Sequence, residues 1–566
     1  MYHSSSSVNQ LTTLLLAHGL TDIVVCPGSR NAPIVHNLYQ ASLEECHQHS
    51  LRLHPVTDER SAAFVALGLS LWVSRASSGL VAICVTSGSA LLACLPAVAE
   101  AYYRHLPLVV VSADRPAWHI NQAEGQTIRQ VDALTPYCRT YQLYTELDDC
   151  PLPATLVLQN NRLINEALSS CHLHGGRPCH INVPLEEPLF RFTTPALPVQ
   201  RVIKISHPQS ATPLSPEIIS LISAARLPAL VIGQYEQDDL KPLVSALHTN
   251  HQLLVLSEII SQTPFSQHMN AFDSMSSDCK ELLPDVVIQV GGNFIHKRFI
   301  KLLSQASTTQ VIRIGEEEEC VDTFGHATYK VEARASLALQ QLQNQLPANP
   351  EVQRAASSLH QSSRSQRDTL LASAPPLSLQ TVIHHVTHLL AGRHDVSLHL
   401  ANSSTIRAAA NVIDNPDIPI FCNRGVNGIE GSMSSAVGYA LCAEGLTVFI
   451  TGDLSFFYDV NALWNVHLPS NLRILLYNDG GGAIFGRLPG LHMSPAYPSY
   501  IAATQCDENH CPSYHAEGIC ATFGLDYQAV DTPAQLSSAL SKWLAPGSRA
   551  HLLEICPRAT SSSRSQ

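Results

Sequence analysis

Charge is scarce in this chain. Of 566 residues only 14% are Asp, Glu, Lys or Arg, and 34 basic side chains face 46 acidic ones, a net charge of −12. A phosphate-reading surface needs a surplus of Lys and Arg, so the balance argues against a nucleic-acid binder. No apolar run approaches the roughly 20 residues of a membrane-spanning helix. The opening MYHSSSSVNQ lacks the charged and apolar regions of a secretory signal. The 16 Cys show no C-x-x-C spacing, and several (Cys84, Cys94, Cys422) sit inside apolar runs. That pattern suits buried thiols in a reducing compartment better than a disulfide framework. Aromatics make up only 6%, yet 45% of the chain is hydrophobic, enough for several cores and against disorder. A cytoplasmic, multidomain enzyme is expected.

What is present is one repeated pattern, a short apolar run that ends in small or polar residues and leads into a helical pattern. TDIVVCPGSR, LVAICVTSGSA, LPLVVVSADRP, LPALVIGQYE, PDVVIQVGGN, DVSLHLANSS, LTVFITGDLS and LRILLYNDGGG all follow it. Continuous Val, Ile and Leu runs read as strands buried on both faces, as in parallel sheets. Helical patterns such as 62–74 and 89–103 supply the crossovers. Segments rich in Pro, Ser and Thr at 193–216, and in Pro, Ser and Gln at 345–377, read as connections, the second with one helix. The fold class is therefore α/β with three doubly wound parallel-sheet domains, at 1–195, 205–345 and 375–566. In such sheets ligands collect beyond the carboxyl ends of the strands.

Two strand ends carry an unusual pair of turns. One run ends in Gly452-Asp453-Leu454-Ser455 before a helix, and the next ends in Asn478-Asp479-Gly480-Gly481-Gly482. A carboxylate beside main-chain N–H groups, a second oxygen side chain and a Gly run with accessible carbonyls could hold a diphosphate through a hard divalent cation. The pairing resembles the metal-binding signature of thiamine-diphosphate enzymes, with Leu454 in place of a Gly and Asp479 in place of the usual Asn. Such an enzyme also needs a carboxylate against the aminopyrimidine of the cofactor. Glu59, in LRLHPVTDERSAAFVALGLSL, stands after a strand and opens a helix capped by Thr57 or Asp58. A capping Asp-Glu pair is the bland alternative.

Basic residues cluster at or shortly after strand ends: Arg30 in CPGSR, Arg115 in SADRP, Arg129 in GQTIRQ, Lys297-Arg298, Arg407 and Arg424. In so weakly basic a chain this suits substrates with several carboxylates, which Arg binds bidentately. CPGSR, SADRP, GQ-x-IRQ, NRG-x-x-GI-[ED]-G, GDLS-x-x-YD-x-N-x-L and GG-x-IF-x-x-LP together resemble the family of 2-succinyl-5-enolpyruvyl-6-hydroxy-3-cyclohexene-1-carboxylate synthases of menaquinone biosynthesis. Here Asn31-Ala32 follows CPGSR, and Glu430 replaces a common Asp.

The resemblance implies a thiamine-diphosphate- and Mg²⁺- (or Mn²⁺-) dependent transferase. It would decarboxylate 2-oxoglutarate and add the succinyl-semialdehyde carbanion in a 1,4 manner to isochorismate. By the same resemblance Glu59 activates the cofactor, and Asp453, Asp479 and Gly481 hold the metal. Asn402, Gly452, Leu454, Ser455 and Gly480 lie at the diphosphate, and Ile429 supports the bent cofactor. Ser29, Arg30, Gln126, Lys297, Arg298, Ser403, Arg407, Arg424, Ile484, Phe485 and Leu488 contact substrates. It also implies a homodimer or dimer of dimers with active sites at the subunit interface.

Other readings have less behind them. A decarboxylase or acetohydroxyacid synthase would not need so many basic side chains. A nicotinamide or flavin enzyme should show G-x-G-x-x-G after the first strand, and none is there. Cys46-His47-Gln48-His49, Cys171-His172-Leu173-His174, and Cys506 and Cys511 around His510 lack the paired spacing of a structural zinc site.

Overall fold

The structure is a computed structural model and describes residues 1–44, 51–76, 79–147, 150–203, 205, 213–265, 267–273, 280–413, 418–507 and 511–557. The first sheet consists of β1 (Leu20–Val25), β2 (Arg52–Pro55), β3 (Leu80–Val85), β4 (Leu108–Asp114), β5 (Thr140–Gln142) and β6 (Pro178–Pro184), in the order β2-β1-β3-β4-β6-β5. The second contains β7 (Pro228–Ile232), β8 (Leu254–Ser257), β9 (Val286–Val290), β10 (Gln310–Gly315) and β11 (Ala327–Glu332), ordered β11-β10-β9-β7-β8. The third comprises β12 (Val396–Leu400), β13 (Ile420–Cys422), β14 (Leu446–Gly452), β15 (Leu472–Tyr477), β16 (Asp526–Val530) and β17 (His551–Ile555), ordered β13-β12-β14-β15-β17-β16. Their pairings are parallel. Every residue of β3, β4, β7 and β9 is buried, as expected for strands covered by helices on both faces.

The predicted helix over 62–74 is found as Glu59–Ala76. That over 89–103 is instead two helices, Ser89–Ala93 and Leu95–Arg104. Pro96 stands in the first turn of the second, where its missing N–H costs nothing but the preceding helix cannot run through. The helix foreseen in the second connection is Pro350–Ser373, and it is not a free linker. Val352, Ala355, Ala356 and Leu359 join the core built around β7, β8 and β9.

Contacts divide the chain into two compact units. One joins residues 1–207 with 433–443 and 459–469, and the other holds 208–432, 444–458 and 470–566. In the first unit, Gly68 of helix Glu59–Ala76 lies against the Ser435 carbonyl, and Gly438 lies against the Val65 carbonyl. A Cβ at either position would fall inside contact distance of a main-chain oxygen, so the two helices mesh at backbone separation. Buried Ser61 and Ser434 hydroxyls share a hydrogen bond of 2.9 Å beside them.

Among the described residues no helix is long and apolar enough to cross a membrane.

Candidate active site

A doubly wound sheet opens a crevice where successive connections leave in opposite directions. In the third sheet that point lies between β12 and β14, because the chain passes from β12 outward to β13 and then returns to β14 on the other side. β12 runs into Asn402 and Ser403, β14 ends at Gly452 just before Asp453, and a cleft opens there. Asn402, Ser403, Gly452, Asp453, Leu454 and Ser455 line it. Ile429, Asp479, Gly481, Ile484 and Phe485 complete its predicted members. Tyr477, Thr405 and Leu379 also line the cleft and carry no motif that would have flagged them.

Ser403 has φ of 71°, a left-handed conformation that is costly for a residue with a Cβ. It precedes helix Ser404–Val412, whose first residues Ser404 and Thr405 border the cleft. N–H groups of that first turn lack intrahelical acceptors and suit an anion. The helix after Gly452 spans only Asp453–Tyr458. It is too short to add much dipole, so donors on that side act as single N–H groups.

Asp453 is buried, with Oδ1 accepting Leu454 N–H at 2.6 Å and Oδ2 accepting Gly481 N–H at 2.6 Å. Burial pushes its carboxyl up, and the N–H groups of Leu454 and Gly481 pull it back. Gly480, with φ of 75°, places its Cα where a Cβ would collide with the Cys506 sulfur. Gln505 N–H donates to the Gly480 carbonyl at 2.7 Å and Gly482 N–H to the Ala502 carbonyl at 2.6 Å, so residues 502–506 back the glycine turn. This backing was not legible in the sequence, because it comes from a distant segment without a motif.

The two turns bring the Asp453 and Asp479 carboxylates and the Gly481 main chain to one cleft. An all-oxygen set of this kind suits Mg²⁺ or Mn²⁺ rather than a soft ion, so the residues fit a metal-held diphosphate. Asn402 organises the opposite wall. Its Nδ2 donates to the Asn423 carbonyl at 2.5 Å and the Gly428 carbonyl at 2.7 Å, while Oδ1 accepts from the Arg424 guanidinium at 3.3 Å. Arg424 is buried, donates also to the Phe294 carbonyl at 3.2 Å, and has no Nε partner among the described residues. Ser455 Oγ donates to the Ile429 carbonyl at 2.7 Å, which fixes the backbone that presents Ile429.

Gly480, Arg407, Arg424, Lys297, Arg298 and Leu488 lie outside this lining. Lys297 and Arg298 open helix Lys297–Ser304 and are exposed, and Arg298 Nε donates to the Phe272 carbonyl at 3.1 Å. Just before them His296 and Glu258 form a buried pair, Nδ1 to Oε2 at 2.9 Å. Asn293 in the same loop donates to the Gly425 carbonyl at 3.0 Å, which ties it to the Arg424 segment. Arg407 is half-buried and Leu488 exposed. The second sheet has its own reversal between β7 and β9. Gly233 sits against the Gly292 carbonyl, and Gly292 N–H donates to the Gln234 carbonyl at 2.7 Å, closing backbone on backbone.

In the first unit the reversal lies between β1 and β3. Gly28, after β1, approaches Thr86, after β3, so closely that a Cβ would lie 2.5 Å from that side chain. Gly88 N–H donates to Gln130 Oε1 at 2.8 Å, and Gln126, exposed with φ of 56°, packs beside Gly88. The Thr86-Ser87-Gly88 turn was readable as a strand end but not as part of a site. Ser29 is exposed. Arg30 is buried, donates to the Leu185 carbonyl at 2.9 Å and pairs with Glu187 at 3.1 Å.

Glu59 begins its helix half-buried. The cap belongs to Asp58, whose Oδ1 accepts from Arg60 N–H at 2.9 Å and Ser61 N–H at 3.2 Å, while Oδ2 accepts from Asn461 at 2.5 Å. That leaves the Glu59 carboxylate without a hydrogen-bond or ion-pair partner among the described residues. Burial, and then the Glu59 charge, push the neighbouring Cys94 thiol up.

Cys46-His47-Gln48-His49 and His510 lie outside the described residues. Cys171 is buried with its sulfur 3.2 Å from that of Cys179, and no metal-spaced group forms around it among the described residues.

Residues 7–134 match the family described as "Thiamine pyrophosphate enzyme, N-terminal TPP binding domain". The chain is 36% identical over 564 residues to the 2-succinyl-5-enolpyruvyl-6-hydroxy-3-cyclohexene-1-carboxylate synthase of Bacteroides thetaiotaomicron, covering 96% of this chain and 94% of that one. The Phocaeicola vulgatus enzyme of the same name is 36% identical over 573 residues, covering 98% and 96%. That of Desulfotalea psychrophila is 32% identical over 509 residues, covering 88% and 89%.

Proposed function

Since the chain belongs to the family of 2-succinyl-5-enolpyruvyl-6-hydroxy-3-cyclohexene-1-carboxylate synthases, we propose that it decarboxylates 2-oxoglutarate and joins the four-carbon remainder to isochorismate by 1,4-addition, within menaquinone biosynthesis. The observation that carries this reading is the cleft at the β12/β14 reversal, where Asp453, Asp479 and Gly481 offer only hard oxygen donors beside an anion-suited helix start. Bound there with Mg²⁺ or Mn²⁺, thiamine diphosphate supplies the electron sink for loss of CO₂ and for carrying the carbon nucleophile to an acceptor.

The protein's own residues supply the rest. Asp453 spends one lone pair of each oxygen on a main-chain N–H and keeps the others for the cation. Ile429, held through its carbonyl by Ser455, would support the bound cofactor. Glu59, relieved of capping by Asp58, would hydrogen-bond the pyrimidine ring of the bound cofactor and hold a proton there. Arg424, hydrogen-bonded to Asn402, and Arg407, Lys297 and Arg298 add cationic charge for the carboxylates of the two substrates. Arg30 reaches a substrate by exchanging its Glu187 partner. The working unit is a cytoplasmic homodimer or dimer of dimers, with Glu59 given by one subunit to the metal cleft of the other.

The test is an assay with thiamine diphosphate, Mg²⁺, 2-oxoglutarate and isochorismate. Isochorismate absorbance should fall only when all four are present, with release of CO₂. Consumption of 2-oxoglutarate with isochorismate untouched would overturn the assignment of the acceptor.

A further inference from the structure

Apart from the oxygen-lined cleft, His515, Glu554 and Cys556 form a metal-spaced group. Glu554 lies in β17, Cys556 directly follows that strand, and His515 comes from the segment before helix Glu517–Phe523. His515 Nδ1 is 3.1 Å from Glu554 Oε1 and 3.9 Å from Cys556 Sγ, and Sγ is 3.6 Å from Oε1. Tetrahedral zinc, with sulfur at ~2.3 Å and nitrogen or oxygen at ~2.0–2.1 Å, has N–O edges of roughly 3.3 Å and edges to sulfur of roughly 3.5 Å. The three donors already stand near the spacing of three corners of such a tetrahedron. Cys556 Sγ hydrogen-bonds Glu554 Oε1 and also faces His515 Nδ1, so all three donor atoms converge on one point.

The carboxylate is held as metal-binding carboxylates are. Glu554 is fully buried, and its Oε2 accepts from Ala516 N–H at 3.0 Å and from the Tyr527 hydroxyl at 2.7 Å. Oε1 also accepts from Asn478 Nδ2 at 2.7 Å. Such outer hydrogen bonds orient a ligand. His515 is half exposed, so a fourth corner is open to water.

We propose that His515, Glu554 and Cys556 bind a borderline-soft divalent cation of the zinc class, with water in the fourth position, separately from the Asp453/Asp479 site. On binding, the Cys556 thiol gives its proton to solvent, and His515 offers the Nδ1 lone pair while Nε2 keeps its hydrogen. Glu554 would then be shared between this cation and Asn478, the residue before Asp479, so the ion lies one hydrogen bond from the glycine turn.

Co²⁺ is the probe. The full chain, with thiamine diphosphate and excess Mg²⁺ filling the oxygen site, is titrated with Co²⁺ under a non-thiol reductant. The expected result is a near-ultraviolet thiolate-to-cobalt band and the intense visible bands of a low-coordinate ion, saturating at one equivalent and removed by Zn²⁺. C556S and H515A should each lose the thiolate band, and His515 is exposed enough that its removal leaves folding intact. C506S should keep it. A wild-type spectrum with only weak octahedral bands overturns the proposal, as does a band that survives in C556S or disappears in C506S.

Discussion

The buried His296–Glu258 pair offers a sharp test of what holds the Lys297-Arg298 turn. Glu258 Oε1 accepts from Ile295 N–H at 2.7 Å and His296 N–H at 3.0 Å, and Oε2 accepts from His296 Nδ1. His296 Nε2 is in turn 2.7 Å from Asn270 Oδ1, so both ring nitrogens meet acceptors and the ring is held as imidazolium. Burial alone would lower the His296 pKa, but the Glu258 charge and hydrogen bond outweigh it, and the net shift is upward. The same partners bring Glu258 below its ordinary range against the opposing effect of burial. Breaking a buried pair from one side costs about 3–5 kcal/mol. Glu258→Gln keeps an acceptor for the two main-chain N–H groups, so a loss of about 2–3 kcal/mol is expected, lowering Tm by roughly 4–10 °C. The pH dependence follows from the signs. The His296 contribution is complete below the unfolded value of about 6.5 and is lost as pH rises through the raised folded value. The Glu258 contribution is complete above about 4.5 and is lost as pH falls through the lowered folded value. The gap between wild type and Glu258→Gln, followed by scanning calorimetry, should therefore be widest near pH 5–6 and narrow toward pH 8. A gap that widens steadily with alkali, or a Tm unchanged at pH 6, would refute the argument.

Glu59→Gln should lower turnover by about 10²–10⁴ while calorimetry still finds thiamine diphosphate taken up with Mg²⁺; full activity would remove Glu59 from the mechanism. Gly480→Ala should raise the Mg²⁺ concentration needed for half activity, since the new methyl has a left-handed backbone to adopt and the Cys506 sulfur to displace. An unchanged Mg²⁺ response would show that the turn is not rigidly backed. Asp459 is fully buried against the Ser434 N–H and hydroxyl, and burial pushes its pKa up to about 6. A raised acid binds its proton more tightly when folded, so stability should fall between about pH 4 and 6 and then level, by about 3 kcal/mol. Asp459→Asn should flatten that part of a urea-unfolding profile, and an identical slope would count against the assignment.

The interior strands were legible because burial on both faces leaves unbroken apolar runs: LVAICV and LVVVSAD could not be much else. Two edge strands were not, since β5 (TYQ) and β13 (IFC) are too short to show a period, whereas β2 (RLHP) was read as the strand before Glu59. The two turns at Asp453 and Asp479 were readable because chemistry restricts them to oxygen donors and glycine. Cys506 behind Gly480, and Asn402 as the anchor of Arg424, depend on tertiary approach between distant segments that no local pattern records. The choice of Asp58 over Thr57 as cap likewise needed coordinates, because both residue types are good acceptors.

The glycine-notched contact of helix Glu59–Ala76 with residues 433–443 has a consequence for synthesis. The amino-terminal unit draws part of its interior from chain made some 230 residues later, so on the ribosome it must wait, with Gly68 and its neighbours uncovered, until residues 433–443 have emerged. A fragment ending at residue 207 would be left with the same raw helix face permanently, and expression of that piece alone should give aggregate rather than an independently folding domain.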